Sequence, residues 1–170
     1  MAAGTLVSRI LGFVKTILLT VAIGSLSTVG DVFETANTLP NLIYVLVAGG
    51  VFNAVLVPQI IKAAKAQDGG ARYISKLVTL TVTAIGLITL ITVACAWPII
   101  SIMGSGWSPE QRQLGFIFAL WYLPQIFFYG LYTVIGQVLN AKDAFGAYMW
   151  SPVLNNVITI LSLFLFIFLF

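Results

Sequence analysis

The chain has few of the residues that build catalytic or metal sites. Histidine is absent, and Cys95 is the single cysteine among 170 residues. The lack of histidine removes the commonest general base and the commonest metal ligand, and one cysteine excludes an internal disulfide or a cysteine-based metal cluster. The sequence also has no phosphate-binding loop, metalloprotease motif or Ser/His/Asp arrangement. It therefore predicts a protein that is not an enzyme and needs no cofactor or metal.

Charged residues are also scarce. They make up only 8% of the chain, whereas 60% of the residues are hydrophobic, and a soluble domain carries about 25% charged residues. Such a chain cannot cover a water-facing surface, so we expect an all-α polytopic membrane protein. Its eight cations are scattered and give a net charge of only +3, which argues against a nucleic-acid-binding surface.

The hydrophobic pattern predicts five membrane spans, since a helix needs about 20 mostly apolar residues to cross a bilayer. They cover residues 4–26, 31–61, 77–100, 112–139 and 150–170. Together they form one predicted transmembrane domain over residues 1–170. The last span finishes in ILSLFLFIFLF (160–170), without a charged residue to close it, so we expect the N-terminal part of a longer transporter.

The connections between spans carry unequal charge. Residues 62–76 contain four cations and one aspartate, whereas residues 101–113 contain one cation and one anion. The positive-inside rule therefore places 62–76, and with it the N-terminus, in the cytoplasm. In the outer connection, SPEQ (108–111) predicts a helix N-cap followed by proline at the first helical position.

Two cations, Arg9 and Lys15, lie inside the first span. A charge at the centre of a membrane helix costs about 2.5–3.5 kcal/mol on insertion scales, so it usually faces water, a partner or a substrate. On a helix the two residues are about 9 Å apart along the axis and roughly 120° apart in rotation, so they do not share a face. Two interpretations remain open: the side chains extend to the cytoplasmic headgroups, or one or both line a wet cavity and bind an anion.

The second span carries polar residues on one face. The residues Asp31, Glu34, Thr35 and Thr38 fall within about 100° of arc at helical spacing, and Asn41 borders them. Lipid-facing surfaces seldom carry such a row, which favours a cavity or a gate. The alternative is that Asp31 and Glu34 lie at the outer membrane interface, where the start of a helix favours anions.

Small and helix-breaking residues recur in the first two spans, notably Gly12, Pro40, Gly49 and Gly50. In membranes such residues permit close helix packing or kinks. Packing is one interpretation of these four positions. The other is that they form hinges in helices that move, as kinked and interrupted helices do in transporters.

Six motifs follow one another along the chain. They are SRILGF (8–13), DVF (31–33), LPNL (39–42), GGVFNAVLVP (49–58), LPQIFFYGLYTVIGQVLNA (123–141) and SPVLNN (151–156). In this order and spacing they resemble the MurJ/MviN family of lipid II flippases, which belongs to the MOP exporter superfamily. The resemblance covers essentially the whole chain and implies that it supplies most of the first lobe of a MOP-type transporter.

The resemblance implies a transporter whose two lobes of helices enclose a cationic cavity. That cavity binds lipid II, the undecaprenyl-diphosphate-linked precursor of peptidoglycan. Alternating access then moves lipid II to the outer leaflet of the bacterial cytoplasmic membrane for cell-wall synthesis. By the same resemblance, Arg9 contacts the diphosphate, Lys15 replaces a second basic residue and Asp31 belongs to an outer gate. Membrane lipids and proteins of cell-wall synthesis or its regulation are the further partners it implies.

One stretch departs from the family. Many members carry two adjacent arginines and a glutamate after LPNL, where this chain has the uncharged IYVLVAGG (43–50). The diphosphate-binding site is therefore expected to hold fewer positive charges than in those members. Two other functions stay open: a different MOP-type transporter, for a lipid-linked oligosaccharide or a drug, and a scaffold for cell-wall proteins that transports nothing.

Overall fold

A computed structural model describes residues 2–23, 28–46, 58–59, 71–141 and 145–169 of the chain. Every regular element in these ranges is a helix, which confirms the predicted all-α class. The main helices are α1 (Ala2–Ile23), α2 (Thr28–Tyr44), α3 (Ala71–Ala94), α4 (Ala96–Met103), α5 (Pro109–Tyr122), α6 (Gln125–Ala141) and α7 (Phe145–Leu169).

Within the described ranges, four stretches are long and apolar enough to cross a membrane. They are Thr5–Ala22, Ala71–Ala94, Pro109–Leu139 and Trp150–Leu169. They correspond to the first, third, fourth and fifth predicted spans, and they support a multi-pass membrane protein. Much of the second predicted span, including Gly49 and Gly50, lies outside the described residues.

Prolines divide two of the predicted spans. The third span is split at Cys95 between α3 and α4, because Pro98 has no N–H to donate to the carbonyl of Ala94. The fourth is split at Leu123–Pro124 between α5 and α6 for the same reason, and the amide of Phe127 bonds instead to the carbonyl of Pro124 at 3.2 Å. These two spans are therefore not the continuous helices that their hydropathy predicts.

The helices that contain the five predicted spans all begin earlier than those spans. Helix α3 begins at Ala71 rather than at residue 77, α5 at Pro109 rather than at 112, and α7 at Phe145 rather than at 150. The first two helices also begin two or three residues early, at Ala2 and Thr28. The hydrophobic pattern marks only the part of a helix that matches the bilayer core. A helix continues beyond that core wherever its backbone hydrogen bonds can still form.

The predicted N-cap at SPEQ is confirmed. Ser108 caps α5, and Pro109 occupies the first helical position. The amide of Gln111 donates to Ser108 Oγ at 3.3 Å, and the amide of Ser108 donates to Gln111 Oε1 at 2.7 Å. This reciprocal capping box satisfies two amides that would otherwise lack a partner at the helix start.

The chain forms two compact units. Unit 1 comprises Met1–Gly30 and Asp143–Phe170, and in it α1 packs against α7. Unit 2 comprises Asp31–Lys142, and in it α3 packs against α6 and α4 packs against α5. Residues distant in sequence thus meet within each unit.

Unit 2 contains two apolar clusters. The larger is formed by Leu39, Ala96, Ile100, Ala119, Leu123 and Ile126, which join α2 and α4 to α5 and α6. The smaller joins Ile85 of α3 to Val134 of α6. Beside it, a Cβ added to Gly130 would lie 2.5 Å from Ile85 Cδ1. The missing side chain of Gly130 is therefore what lets α3 and α6 approach so closely.

Candidate functional site

The two cations of α1 differ in their surroundings. Arg9 is exposed, whereas Lys15 is half-buried. The half-buried residues of α1 recur every three or four positions and form one helix face: Ser8, Leu11, Gly12, Lys15, Leu18, Leu19 and Ala22. Because each residue turns the helix by about 100°, Arg9 lies off this face while Lys15 belongs to it. The structure thus places the two cations on different faces, in line with their spacing.

The half-buried face of α1 contacts Asn156 of α7. The side-chain Nδ2 of Asn156 donates to the carbonyl oxygen of Ser8 at 2.8 Å and lies 3.3 Å from Ser8 Oγ. One turn further along α1, a Cβ added to Gly12 would lie 3.8 Å from the same nitrogen. Gly12 therefore lies at a helix contact, as its packing interpretation requires, and its role as a hinge stays a prediction.

Sequence reasoning did not single out Ser8 and Asn156 as contact residues. Two signals were present in the sequence: the small residues Ser8 and Gly12 are four apart, and Asn156 is a polar residue in an apolar helix. Small residues at this spacing and amides within spans are both typical of helix interfaces in membranes. Neither signal names the partner helix, which is why the pairing emerges only in the structure.

The structure brings the polar residues of α2 together on one face. Asp31, Glu34, Thr38 and Asn41 are all exposed. The buried residues of the helix are Val32, Ala36, Leu39 and Pro40, and at about 100° per residue they lie roughly opposite the polar face. The apolar face of α2 is thus used for packing in unit 2, and its polar face is left uncovered by the described residues.

A polar network that sequence reasoning missed links α2 to α6. The hydroxyl of Tyr44 lies 2.6 Å from Thr133 Oγ1, and the ring of Tyr44 meets that of Tyr129 edge-on at 6.1 Å. The hydroxyl of Tyr129 donates in turn to Gln125 Oε1 at 3.2 Å. Within the apolar interior of a membrane protein, these mutual bonds give the hydroxyls the partners that lipid cannot supply.

Together these features define the class of the protein. It is a multi-pass α-helical membrane protein with an exposed arginine on its first apolar helix and a continuous polar face on its second. An exposed arginine inside a membrane segment is typical of proteins that move or bind polar ligands within the bilayer.

Comparison with known proteins gives the family. The family model described as lipid II flippase MurJ matches residues 7–169. The chain therefore belongs to the MurJ lipid II flippase family. The match includes both cations of α1 and the whole polar face of α2.

Individual relatives agree with this assignment. A probable lipid II flippase MurJ of Buchnera aphidicola is 30% identical over 157 residues, which cover 90% of this chain and 30% of the relative. A protein of the same printed name from Rhizobium tropici is 30% identical, over 94% of this chain and 31% of the relative. The lipid II flippase MurJ of Burkholderia cenocepacia is 28% identical, over 90% and 30% respectively. The chain thus spans about a third of the length of these relatives, and no solved structure matches it.

Proposed function

We propose that this chain is part of a transporter that flips lipid II from the inner to the outer leaflet of the bacterial cytoplasmic membrane. The observation that carries the proposal is the exposed Arg9 on a membrane-spanning helix, within the region matched by the flippase family. The relatives' names supply the substrate, lipid II. The diphosphate of lipid II is an anionic group that an arginine within the membrane can bind through charge-assisted hydrogen bonds.

Arg9 is the proposed contact for the diphosphate. A guanidinium presents a planar fork of donors that matches two phosphate oxygens, and such charge-assisted bonds are roughly twice as strong as neutral ones. The cost of placing an arginine in a membrane span is offset when the side chain faces a wet cavity that holds an anion. Lys15, on the half-buried face of α1, adds a second positive charge without the same directional fork.

The polar face of α2 is the proposed boundary of an aqueous path. Asp31 and Glu34 lie near the start of the helix, and Thr38 and Asn41 continue the face along it. Turned toward lipid, the side chains of Asp31, Glu34 and Asn41 would lack partners, which disfavours a lipid-facing position. The Thr38 hydroxyl donates to the carbonyl of Thr35 at 2.9 Å and is satisfied within the helix. We assign Asp31 and Glu34 to a gate and the two uncharged residues to the cavity wall.

Alternating access is the proposed mode of transport, with the N-terminus in the cytoplasm. Gly12 and Pro40 are the candidate hinges within the described residues, and Gly49 and Gly50, which lie outside them, are the other two candidates. Proline at position 40 lies inside α2 and is buried, and it removes one backbone hydrogen bond, to the carbonyl of Ala36. A helix with a missing bond at this point bends more readily than an unbroken one.

The test is a rescue experiment in cells depleted of their own lipid II flippase. The chain is expressed alone and within the complete gene product that contains it, and the fraction of lipid II exposed on the outer leaflet is measured. We expect the complete product to restore exposure. Replacing Arg9→Ala should reduce it roughly 10- to 100-fold, since a bond to a charged group contributes about 1.5–3 kcal/mol, and Arg9→Lys should have an intermediate effect.

Arg72→Ala is the matched control. Arg72 is also an exposed arginine, but it lies in the first turn of α3, before the predicted third span. Its replacement should leave exposure of lipid II unchanged at equal membrane levels. Normal exposure with Arg9→Ala would exclude the diphosphate contact. If the complete product inserts and restores nothing, the lipid II assignment fails, and lipid-linked oligosaccharides, drugs and a scaffold role become the functions to test.

A further inference from the structure

Asn156 differs from the other buried polar residues of the described chain. Thr81, Thr89 and Thr92 are also buried, and each hydroxyl donates to a carbonyl four residues earlier in its own helix. Asn156, with 8% of its surface exposed, donates instead to a different helix. The three threonine hydroxyls therefore find their hydrogen-bond acceptors within their own helix. The hydrogen bond of the Asn156 amide instead depends on the position of α1.

The bond from Asn156 is directed at the backbone of α1. The acceptor is the carbonyl oxygen of Ser8. In the regular helical pattern the same oxygen also accepts a hydrogen bond from the amide N–H of Gly12. A carbonyl has two lone pairs and can accept both donors. A bond to a backbone carbonyl holds the helix itself, whereas a bond to a flexible side-chain tip would let the helix turn beneath it.

Gly12 makes this approach possible. The space that its side chain would occupy lies 3.8 Å from Asn156 Nδ2. A large side chain at position 12 would fill the space in front of the Ser8 carbonyl and keep the amide away. Ser8, Gly12 and Asn156 thus form one contact, which we call the α1–α7 latch.

We propose that Asn156 is a positioning residue that sets the rotation of α1. Arg9 directly follows the anchored Ser8, so it points about 100° away from the latch. With the hydrogen bond from Asn156 to Ser8 formed, Arg9 is exposed and Lys15 lies on the half-buried face of α1. The consequence for transport rests on the proposed function of Arg9, but the rotation of α1 is a separate property that can be measured without any transport.

The rotation of α1 can be tested by cysteine accessibility in membranes. The complete gene product is made cysteine-free, including Cys95→Ala, and single cysteines replace Arg9, Ile10, Phe13 and Val14, which are all exposed in the structure. Labelling rates with a water-soluble maleimide then show which side of α1 faces water. Asn156→Leu keeps the number and branching of the side-chain heavy atoms and removes the donor. We expect it to shift the position of fastest labelling by one residue or more, each residue corresponding to about 100° of rotation.

Two control variants separate the latch from general damage. Asn155→Leu changes the exposed neighbouring amide and should leave the labelling pattern unchanged. Ser8→Ala removes only the contact at 3.3 Å and keeps the backbone acceptor at 2.8 Å, so it should also leave the pattern unchanged. If Asn156→Leu does not accumulate in the membrane, Asn156→Ala removes the same donor with a smaller side chain.

The outcomes separate this inference from the proposed function. An unchanged labelling pattern without the Asn156 donor overturns the positioning role, whatever happens to transport. A shifted pattern, together with loss of lipid II exposure in the rescue assay, supports both. A shifted pattern in a protein whose transport tolerates Arg9→Ala supports the latch and overturns the diphosphate contact.

Discussion

The two compact units of the chain are built from different kinds of contact. Unit 2 encloses two apolar clusters, and Phe33 meets Phe118 and Tyr122 edge-on at 5.8 and 5.6 Å. In unit 1, none of residues 5–22 is buried, whereas five of residues 71–94 and seven of residues 109–139 are. Helix α1 is thus the least enclosed of the membrane-crossing stretches described.

The difference shows two ways of joining helices where the surroundings are apolar. Lipid is as apolar as leucine, so helices in a membrane associate through close packing and interhelical hydrogen bonds. Unit 2 encloses apolar clusters in addition to a small-residue contact at Gly130 and the bond between Tyr44 and Thr133. The contact of α1 with α7 in unit 1 instead combines small residues with the directed bond from Asn156. An interhelical hydrogen bond in a membrane contributes only about 0.6 kcal/mol on average. Such a bond can set an orientation and still release it, which suits a helix that carries the proposed ligand-binding residue.

The largest effect should come from replacing Trp107 in unit 2. Its ring covers Gly104 and Gly115, since a Cβ at either glycine would clash with it. We expect Trp107→Ala to lower the free energy of unfolding by about 3 kcal/mol, the lower end of the usual range for this change, because the side chain is half-buried. Denaturant titration in detergent measures it. Trp121→Ala is the control, since that ring is 78% exposed, and an equal loss there would contradict the packing role.

A smaller effect is expected at the close approach of α3 and α6. Gly130→Ala places a methyl group against Ile85, and overpacking of this kind typically costs about 1–3 kcal/mol. Ile85→Ala removes the clashing atoms but also empties a buried position, so the double variant should lose less stability than the sum of the two single changes. The same titration measures both.

Gly86→Ala is the control for the α3–α6 approach. Its added Cβ would lie 3.9 Å from Phe127 Cε2, an ordinary contact distance, so we expect little change. A Gly130→Ala variant as stable as the unmodified protein would show that the interface is looser than the structure indicates.

The smallest effect should come from Gly12 in unit 1. The added Cβ of Gly12→Ala lies at an ordinary distance from Asn156, so the free energy of unfolding should change by no more than about 0.5 kcal/mol. Gly12→Leu should displace the Asn156 amide and cost about 0.6–1.7 kcal/mol, the range for a lost interhelical bond. A loss as large as that of Trp107→Ala would mean that unit 1 is packed as tightly as unit 2.

Local features of the sequence predicted local features of the structure well. The helical class, the cap at Ser108 and the separation of the buried and polar faces of α2 each depend on residues within one or two turns. Hydropathy was less informative about continuity, since it joined α3 to α4 and α5 to α6. Hydropathy measures side-chain composition, whereas Pro98 and Pro124 act by removing backbone hydrogen bonds.

The candidate site was predictable only one helix at a time. The spacing of Arg9 and Lys15 showed that they occupy different faces, and the structure adds that Lys15 shares its face with Ser8 and Gly12. The roles of these residues, and of Gly49 and Gly50 outside the described ranges, stay predictions. A role in binding depends on which surfaces meet around a ligand, and no single helix contains that information.

The sequence by itself determined that the chain lies in a membrane, that it is helical and that it belongs to the flippase family. These properties follow from composition, periodicity and motif order, which are present in the chain before it folds. Only the tertiary structure decided that Asn156 meets Ser8, 148 positions away, and that Tyr44 meets Thr133, 89 positions away. Such pairings depend on the packing of whole helices, because a buried amide or hydroxyl bonds to whichever partner the fold brings within about 3 Å.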